Sequence, residues 1–368
     1  MTKGARVHPW KESRAAEALG IRYPIIQGPF GGLSSTSLAA EVSNAGGLGS
    51  YGAATLSPTQ IKETVQEIRE GTANPFLINL WVSTFDEAAI RTTQEELERS
   101  AKRMQAYFSE LGLQPPQLPE FQAQQFEAQV AALLDARPPV ASFIFGIPRA
   151  DVLRECRRLG IVTIGTATTR EEAKAVADAG MDLVVASGFE AGGHRGSFIE
   201  KSEASLTGSF ALIPQVADEV SIPVIAAGGI ADARGVVAAL MLGADAVQIG
   251  TAFLVCEGSG ISSFLCELLF TEAARHTALT RHFSGRLARV VRNRFIEDME
   301  LSLESPLPFP LQRALLRPYL QEAIEQGRAD LVAVWAGQAT PLIRHRTVSS
   351  LMGSLIEGTQ RIFEQFAL

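Results

Sequence analysis

LVVASGFEAGGHRG, residues 183–196, is the most informative stretch of the sequence. It opens with four consecutive apolar residues, which is typical of a strand buried on both faces, and such strands occur mainly in parallel sheets covered by helices. Directly after this strand, four glycines surround His194. Glycine lets the backbone approach a ligand closely, and histidine exchanges a proton near neutral pH. The stretch therefore predicts a parallel sheet with a ligand-binding, acid–base loop at the end of one strand.

Seven other short apolar runs are spaced along the chain, and six of the seven gaps between the eight runs are long enough for a helix. Eight strand–helix units predict a (β/α)8 TIM barrel. A doubly wound open sheet is the alternative, but the glycines at 28–32 lack the GxGxxG spacing of a dinucleotide site. The predicted strands are 24–27, 48–51, 76–82, 140–145, 161–166, 183–186, 223–227 and 246–249.

Two predicted helices begin at capping boxes, in which the first and fourth residues each bond the other's backbone N–H through a side chain. SPTQ at 57–60 begins one helix, and TREE at 169–172 begins another that is expected to end at Gly180. Both helices fall in gaps between predicted strands, so they support the alternation of strand and helix.

Two segments do not fit the strand–helix repeat. Residues 83–138 are polar and helix-prone, and we expect a helical insertion after the third strand that serves as a lid. Residues 257–368 follow the last strand and are expected to form a mainly helical C-terminal region packed on the barrel. The barrel domain, including the insertion, is thus predicted at residues 20–256.

The composition argues against several classes of partner. Hydrophobic residues make up 46% of the chain and the net charge is −7, so a general attraction to nucleic acid or anionic membranes is not expected. The three cysteines form no CxxC pair, which indicates reduced thiols, and no motif for a metal site is present. Since no signal peptide or 18-residue apolar run is found, a soluble cytoplasmic protein is expected, as a monomer or a homodimer.

Glycine-rich loops follow the last two predicted strands. In a barrel, ligands bind at the carboxyl ends of the strands, and phosphates favour the loops after strands seven and eight. Gly228 and Gly229 follow strand seven, and Gly250 follows strand eight. Backbone N–H groups in such loops attract a phosphate without a lysine. We therefore expect a phosphate site at Gly228, Gly229 and residues 248–251, while Asp232 is expected to cap the next helix.

Four motifs together resemble the nitronate monooxygenase family of FMN-dependent barrel enzymes: PIIQGPFGG at 24–32, GFEAGGHRGSF at 188–198, VIAAGG at 224–229 and QIGT at 248–251. The resemblance runs from about Ile21 to Phe253 and continues in two patches, FSGR at 283–286 and WAGQ at 335–338. Flavin-dependent enoyl reductases of fatty-acid synthesis share much of the same pattern.

The resemblance implies that FMN is the cofactor and that its phosphate lies at Gly229 and residues 248–251. It implies that Gln27, Gly28, Asn79 and Gly192 line the flavin ring, although structural roles are the alternative for Gln27 and Asn79. Many family members carry a flavin-contacting glutamine where this chain has Ser187. Serine is shorter, so it can contact the flavin only in a different geometry or through a water molecule. The complete set of predicted cofactor-binding residues is Gln27, Gly28, Asn79, Ser187, Gly188, Gly192, Gly193, Gly228, Gly229, Gln248, Ile249, Gly250 and Thr251.

His194 is the predicted catalytic residue. It is expected to take the α-proton of a neutral nitroalkane as a general base, or to stabilise an anionic nitronate. Arg195 either adds positive charge or makes a structural ion pair, and Glu190 either orients the imidazole or caps the loop. The acid-free basic run at 281–294 is expected to dock against acidic helices of the barrel rather than to bind nucleic acid.

The resemblance implies oxidation of alkyl nitronates, such as propionate 3-nitronate, by O2 to a carbonyl compound and nitrite. An FMN-dependent NAD(P)H reductase of enoyl thioesters or quinones is the alternative enzyme. A non-catalytic FMN- or phosphate-binding protein is an alternative of another class, and the presence of His194 argues against it.

Overall fold

The structure, a computed structural model, describes residues 10–119, 125–302 and 304–366. Its strands in these ranges are β1 (Ile25–Gln27), β2 (Gly49–Gly52), β3 (Phe76–Trp81), β4 (Val140–Ile144), β5 (Val162–Ala167), β6 (Leu183–Ser187), β7 (Gly193–His194), β8 (Val224–Ala227), β9 (Ala246–Ile249), β10 (Thr277–Thr280) and β11 (Ala288–Val291).

The α-helices of the same ranges are α1 (Arg14–Leu19), α2 (Thr36–Asn44), α3 (Pro58–Gly71), α4 (Glu87–Ile90), α5 (Gln94–Glu110), α6 (Phe126–Ala136), α7 (Ala150–Leu159), α8 (Arg170–Asp178), α9 (Ser209–Glu219), α10 (Ala233–Met241), α11 (Thr251–Leu254), α12 (Ser263–Leu268), α13 (Arg294–Glu300), α14 (Leu311–Glu325) and α15 (Val348–Phe366). None of them is both long and apolar enough to cross a membrane.

Eight strands form one parallel sheet in the order β1-β9-β8-β6-β5-β4-β3-β2. The N–H of Gln27 in β1 donates to the carbonyl of Leu48, just before β2, at 2.9 Å, and this contact closes the sheet into a barrel. Buried apolar side chains such as Ile26, Leu77 and Val185 fill the interior. The predicted (β/α)8 barrel is confirmed, and the open doubly wound sheet is wrong.

The two predicted helix starts have different outcomes. At α3, Ser57 and Gln60 form the complete reciprocal capping box. At α8, Thr169 accepts the N–H of Glu172 as predicted, but the carboxylate of Glu172 accepts the N–H of Thr168 rather than that of Thr169. The second box is therefore only half formed. α8 ends two residues before Gly180, which takes the left-handed conformation.

The insertion after β3 divides into two parts. α6 packs against α3 in the wall of the barrel, whereas α5 packs against α14 of the C-terminal region. The hydroxyl of Tyr107 on α5 donates to Asp298 at 3.0 Å, and the rings of Phe108 and Tyr319 stack at 5.9 Å between centroids. Residues 120–124, in the Gln/Pro-rich stretch of the insertion at 114–125, lie outside the described residues.

The last helix also contributes to the barrel wall. α15 packs against α10 and α2, the helices that lie before β9 and after β1. It therefore takes the position of the helix that follows the eighth barrel strand. The segment between α11 and α15 joins α5 in a cap, which we define as residues 82–110 and 257–347.

A second, three-stranded antiparallel sheet joins the cap to the loop after β6, with the strand order β10-β11-β7. In this sheet His194 pairs with Ala288, and Gly193 pairs with Arg289. The backbone of His194 is therefore held by the cap, while the loop that carries it starts at a barrel strand.

Candidate active site

His194 lies half-buried between the barrel and the cap. Its Nε2 is 2.8 Å from Oγ of Ser284. The same hydroxyl is 3.2 Å from the carbonyl oxygen of Arg286 and accepts the Arg286 N–H at 3.3 Å. Nδ1 of His194 makes no hydrogen bond to any described residue. Ser284 thus engages one ring nitrogen and leaves the other for a ligand.

Four aromatic rings surround the imidazole, and we call them the aromatic cage. The centroid of the His194 ring is 5.1 Å from Trp335, 5.2 Å from Trp81, 6.3 Å from Phe145 and 6.4 Å from Phe309. Trp81 is the last residue of β3 and Phe145 directly follows β4, whereas Phe309 and Trp335 come from the cap. The cage is therefore complete only when the two parts of the molecule are packed together.

Arg286 is buried behind the cage and ties the insertion to the C-terminal region. Its guanidinium pairs with Asp86 at 2.8 Å and donates to the carbonyl of Ser83 at 2.9 Å. Its carbon Cζ is 4.3 Å from the ring centre of Phe145 and 4.5 Å from that of Phe309. Stacking on aromatic faces is typical of arginine.

The electrostatic surroundings keep His194 neutral. Burial, followed by the positive charges of Arg313 and Arg286, lowers the pKa of His194 from 6.5 to about 3. Both effects disfavour the imidazolium form. A negative charge brought to this place acts in the opposite direction, because opposite charges stabilise each other in a partly desolvated site.

Glu190 caps a helix and does not orient the imidazole. Its carboxylate accepts the N–H of Ser209, at the start of α9, at 2.8 Å and the hydroxyl of the same residue at 3.0 Å. Gly188 lies directly over this contact, since a Cβ there would come within 2.1 Å of Oγ of Ser209. Glu190 therefore fills neither expected role as stated, because its carboxylate binds the first residue of α9 rather than the imidazole or its own loop.

Arg195 also has a structural role, although not as an ion pair. Its buried guanidinium donates to the backbone carbonyls of Ser187, Thr168 and Ser205. Arg289 donates to the carbonyl of Phe189 at 2.9 Å. Both arginines fix the path of the loop at 188–196 and direct no charge at His194.

The loops after β8 and β9 present free donors. The N–H groups of Gly228, Gly229, Gly250 and Thr251 make no hydrogen bond within the described part of the chain. Gly228 and Gly229 have φ of +102° and +73°, a conformation that glycine adopts without strain. Asp232 caps α10 through the N–H of Arg234 and Gly235, which confirms its predicted role.

Gln27 ends β1, Gly28 follows it, and Asn79 lies within β3. The amide of Gln27 donates to the carbonyl of Ser50 at 3.1 Å and accepts its N–H at 3.2 Å, so this side chain helps to close the barrel. A Cβ at Gly28 would lie 3.1 Å from the Cα of Gly250, which brings the first and last strand ends together. Nδ2 of Asn79 is 2.9 Å from Oγ of Ser142.

Gly192 and Gly193 hold the loop against the cap. A Cβ at Gly192 would meet the backbone of Ala336 and Gly337 at 2.6 Å, whereas one at Gly193 would meet no atom within 4 Å. The N–H of Gly337 donates to Oγ1 of Thr251 at 3.0 Å. Of the remaining predicted residues, Ser187 ends β6, Gln248 lies in β9 and Ile249 is buried at the end of β9.

The structure brings the predicted residues to one end of the barrel, at the carboxyl ends of β1, β3, β6, β8 and β9. The sequence argument missed the aromatic cage. Trp335 and Ser284 lie in the two short patches of resemblance at 335–338 and 283–286, so a signal for them was present. Trp81 and Phe145 are large aromatic residues at the carboxyl ends of barrel strands, where the side chains of a barrel enzyme line its active site. Phe309 follows proline and offered no such signal.

The basic run at 281–294 is paired with acids, but its partners are not barrel helices. Arg281 pairs with Glu203 in the loop before α9 at 2.7 Å, and Arg294 pairs with Glu110 of α5 at 2.6 Å. The expected docking against barrel helices is wrong because the run lies within the cap, where the acids come from the insertion, from the loop before α9 and from the C-terminal region itself.

Comparison with known proteins agrees with this geometry. The family model for nitronate monooxygenase matches residues 12–358. A probable nitronate monooxygenase of Staphylococcus aureus (strain JH9) is 37% identical over 357 residues, covering 96% of this chain and 99% of that protein.

Two solved structures are similar along nearly the whole chain. Nitroalkane oxidase from Streptomyces ansochromogenes has a TM-score of 0.87 and 34% identity, covering 95% of this chain and 99% of that one. FabK from Thermotoga maritima has a TM-score of 0.75 and 28% identity, covering 96% and 98%. The chain belongs to the nitronate monooxygenase family of oxidoreductases.

Proposed function

We propose that this enzyme oxidises alkyl nitronates, such as propionate 3-nitronate, by O2 to a carbonyl compound and nitrite, with FMN as its flavin. The observation that carries the proposal is a neutral imidazole, His194, enclosed by the aromatic cage beside loops with free backbone donors. Family membership supports flavin-dependent oxidation of nitronates or nitroalkanes in general.

The residues at the barrel end fit FMN. Four unpaired N–H groups, at Gly228, Gly229, Gly250 and Thr251, match the acceptor oxygens of a phosphate. Open space at the Cβ positions of Gly193 and Gly250 leaves room for a group that is not protein. We assign the phosphate to those four N–H groups, and the ring to the surfaces of Gln27, Asn79, Ser187, Gly188 and Gly192. Bound FMN supplies the redox chemistry of the reaction.

His194 favours the nitronate over the neutral nitroalkane. An imidazole whose pKa is about 3 is a weak base, so removal of a proton from a neutral carbon acid gains little driving force from it. An anion held near Arg286 and Arg313 meets two positive charges in a partly desolvated site. Anion binding raises the pKa of His194, and the protonated ring then donates to the nitronate oxygens through Nδ1.

Ser284 fixes the ring for this role. When Oγ of Ser284 donates to the carbonyl of Arg286, Nε2 of His194 carries a proton and donates to that oxygen, so the lone pair lies on Nδ1. The cage then leaves an apolar surface beside Nδ1 for the alkyl chain of the substrate.

The experiment is oxygen uptake by FMN-loaded protein with propionate 3-nitronate and, separately, with NADH or NADPH. The proposal expects rapid uptake and nitrite release with the nitronate, and no acceleration with either nicotinamide. Anaerobic bleaching of the flavin by NAD(P)H without nitronate turnover would instead establish the reductase. A flavin-loaded protein that reacts with neither donor would establish a binding protein.

A further inference from the structure

Trp335 is the one ring of the aromatic cage that stacks on His194. The two ring planes are inclined by 31° and their centroids lie 5.1 Å apart, which corresponds to an offset-stacked arrangement. The rings of Trp81, Phe145 and Phe309 instead stand at 70° to 73° to the imidazole. Trp335 therefore presents its face to the face of the imidazole.

The three-stranded sheet places both side chains on the same side. His194 is paired with Ala288 of β11, and Trp335 forms an antiparallel bridge with Val290, two residues further along that strand. The other edge of β11 is taken by β10, where Ala278 pairs with Val290. Both rings thus belong to one edge of β11. Residues two apart in a strand point to the same face of a sheet, as do residues directly opposite each other in a pair, so the backbone sets up the stack.

The backbone around Trp335 is held on both sides of the residue. The N–H of Val291 donates to the carbonyl of Val334 at 2.8 Å, and the N–H of Gln338 donates to the carbonyl of Glu190 at 2.9 Å. The second contact reaches the loop that carries the imidazole. The indole and the imidazole are therefore attached to one connected backbone framework.

A stacked indole acts differently on the two protonation states of a histidine. The face of an aromatic ring carries partial negative charge and attracts a cation within about 6 Å of its centre, and tryptophan does so most strongly. A contact with the face of His194 leaves both ring nitrogens accessible in the plane, so Nε2 keeps Ser284 and Nδ1 keeps its place for a ligand. Trp335 therefore favours the imidazolium form without displacing either hydrogen bond.

The other groups near the ring act in the opposite direction. Burial and the positive charges of Arg313 on α14 and Arg286 before β11 disfavour the imidazolium. Asp86 of the insertion pairs with Arg286 at 2.8 Å and offsets part of that charge. Among the described residues, no carboxylate is one of the charges that act on the ring. An aromatic face is therefore what the fold offers to a protonated His194.

We infer that Trp335 is a positioning residue for His194, and that its indole face stabilises the imidazolium that forms when an oxyanion binds. The inference rests on the proposed function, in which the protonated ring donates to the nitronate. A purely steric role, in which Trp335 only covers the ring, is the alternative. The two roles differ in sign, because loss of a cation–π contact lowers the pKa of His194, whereas water entering in place of a cover raises it.

The test is an NMR titration of FMN-loaded protein labelled with ¹³C at histidine Cε1, with nitrate as a planar oxyanion probe. His194→Asn assigns the signal of His194 among the five histidines. Nitrate should raise the pKa of His194 in the wild type. In Trp335→Leu the nitrate-bound pKa should be lower by about 0.5–1.5, the equivalent of one cation–π contact. Trp335→Phe keeps an aromatic face, so its value should fall between the two.

Phe309→Leu is the matched control, because it shortens another cage ring of the cap, whose centroid lies 6.4 Å from the imidazole and whose plane is inclined by 72°. It opens the cage without removing the stacked ring, so the nitrate-bound pKa of His194 should stay the same or rise. A pKa in Trp335→Leu equal to or above that of the wild type would overturn the inference. A wild type whose His194 does not respond to nitrate would overturn it as well.

Kinetics separate this inference from the proposed function. The value of kcat/KM for propionate 3-nitronate should fall roughly 3- to 30-fold in Trp335→Leu, and Trp335→Phe should recover part of the loss. If the wild type turns over no nitronate, the proposed function fails, but the NMR titration still decides whether Trp335 stabilises the imidazolium. In an enzyme that does turn over the nitronate, an unchanged kcat/KM in Trp335→Leu would contradict the inference.

Discussion

His194 combines three features that are rarely combined in a surface histidine. One ring nitrogen is held by Ser284, the ring is enclosed by four aromatic residues, and its pKa lies far below neutrality. The sequence identified this residue because glycines bracket it at a strand end. It could not reveal the low pKa, because the burial of the ring and the nearby charges of Arg313 and Arg286 depend on distant parts of the chain.

His194→Asn tests the role of the ring. Asparagine keeps a polar side chain of similar reach but has no basic nitrogen. We expect the variant to retain FMN and to lose kcat/KM on preformed nitronates roughly 10- to 100-fold, because a neutral amide replaces the protonated ring that donates to the anion. Oxygen uptake with neutral nitroalkanes should stay near background in both proteins. An unchanged kcat/KM on nitronates would rule out charge stabilisation as the function of His194.

The pKa of His194 also affects acid stability. The unfolded chain takes up a proton near pH 6.5, whereas the folded chain does so only near pH 3. Between these values the unfolded state binds more protons, so the free energy of unfolding falls as the pH drops from 6.5 towards 3. Above pH 6.5 the stabilising contribution of His194 is complete.

Urea denaturation of FMN-free protein between pH 7.5 and 4.5 measures this effect. The free energy of unfolding should fall less steeply with pH in His194→Asn than in the wild type, because the variant lacks this titration. Other acidic groups titrate in both proteins, so the difference between the curves isolates residue 194. Parallel curves would show that the pKa of His194 is close to its ordinary value.

At the scale of elements, the loop after β6 is held by contacts on each side. Arg195 binds its start, Glu190 connects it to α9, and β7 pairs with β11 of the cap. Four glycines occur here for different reasons. Gly188 avoids a clash with Ser209, whereas Gly193 has a positive φ of +80°.

Gly188→Ala and Gly250→Ala form a matched pair. Alanine at Gly188 places a Cβ 2.1 Å from Oγ of Ser209, so we expect a destabilisation of about 1–3 kcal/mol and a lower Tm. Alanine at Gly250 meets no protein atom within 4 Å and needs no positive φ, so the FMN-free protein should keep its Tm.

Gly250→Ala should weaken FMN binding even though it leaves the stability of the FMN-free protein unchanged. The new methyl group points into the space that we assign to the cofactor, so the Kd for FMN should rise roughly 10-fold or more. Fluorescence titration of the FMN-free proteins measures this Kd. An unchanged Kd in Gly250→Ala would contradict the assignment of the phosphate site.

The barrel strands were predictable because each is a short, continuous apolar run between turn residues, and β9 was predicted to the residue. β10 and β11 were not predicted. Their sequences, TALT and ARVV, are short, and Arg289 interrupts the apolar pattern of the second. Their position depends on pairing with β7 and not on local sequence.

On the scale of the whole molecule, the barrel supplies the glycine-rich loops and two rings of the aromatic cage, and the cap supplies the other two rings. The sequence indicated a long insertion and a C-terminal region, but not that α5 and α14 pack together. Contacts between the insertion and the C-terminal region join residues about 200 positions apart, as with Asp86 and Arg286. Such pairs follow no periodicity, so only the tertiary structure shows that both segments enclose one site.

The architecture supports the proposal that this enzyme binds a small anion. Aromatic rings line the space around His194, the charges of Arg313 and Arg286 act on it, and the free N–H groups lie on adjacent loops. The central claim is that the nitronate anion, not the neutral nitroalkane, is the form that the enzyme uses.

The most direct measurement compares the two forms of one compound. 3-Nitropropionate is added to FMN-loaded enzyme at pH 7 either from a freshly dissolved acid stock, which holds the neutral nitro form, or from an alkaline stock, which holds the nitronate. The initial rate of oxygen uptake should be high with the nitronate and near background with the neutral form. Equal initial rates would show that the enzyme removes the α-proton itself and would contradict the account of His194.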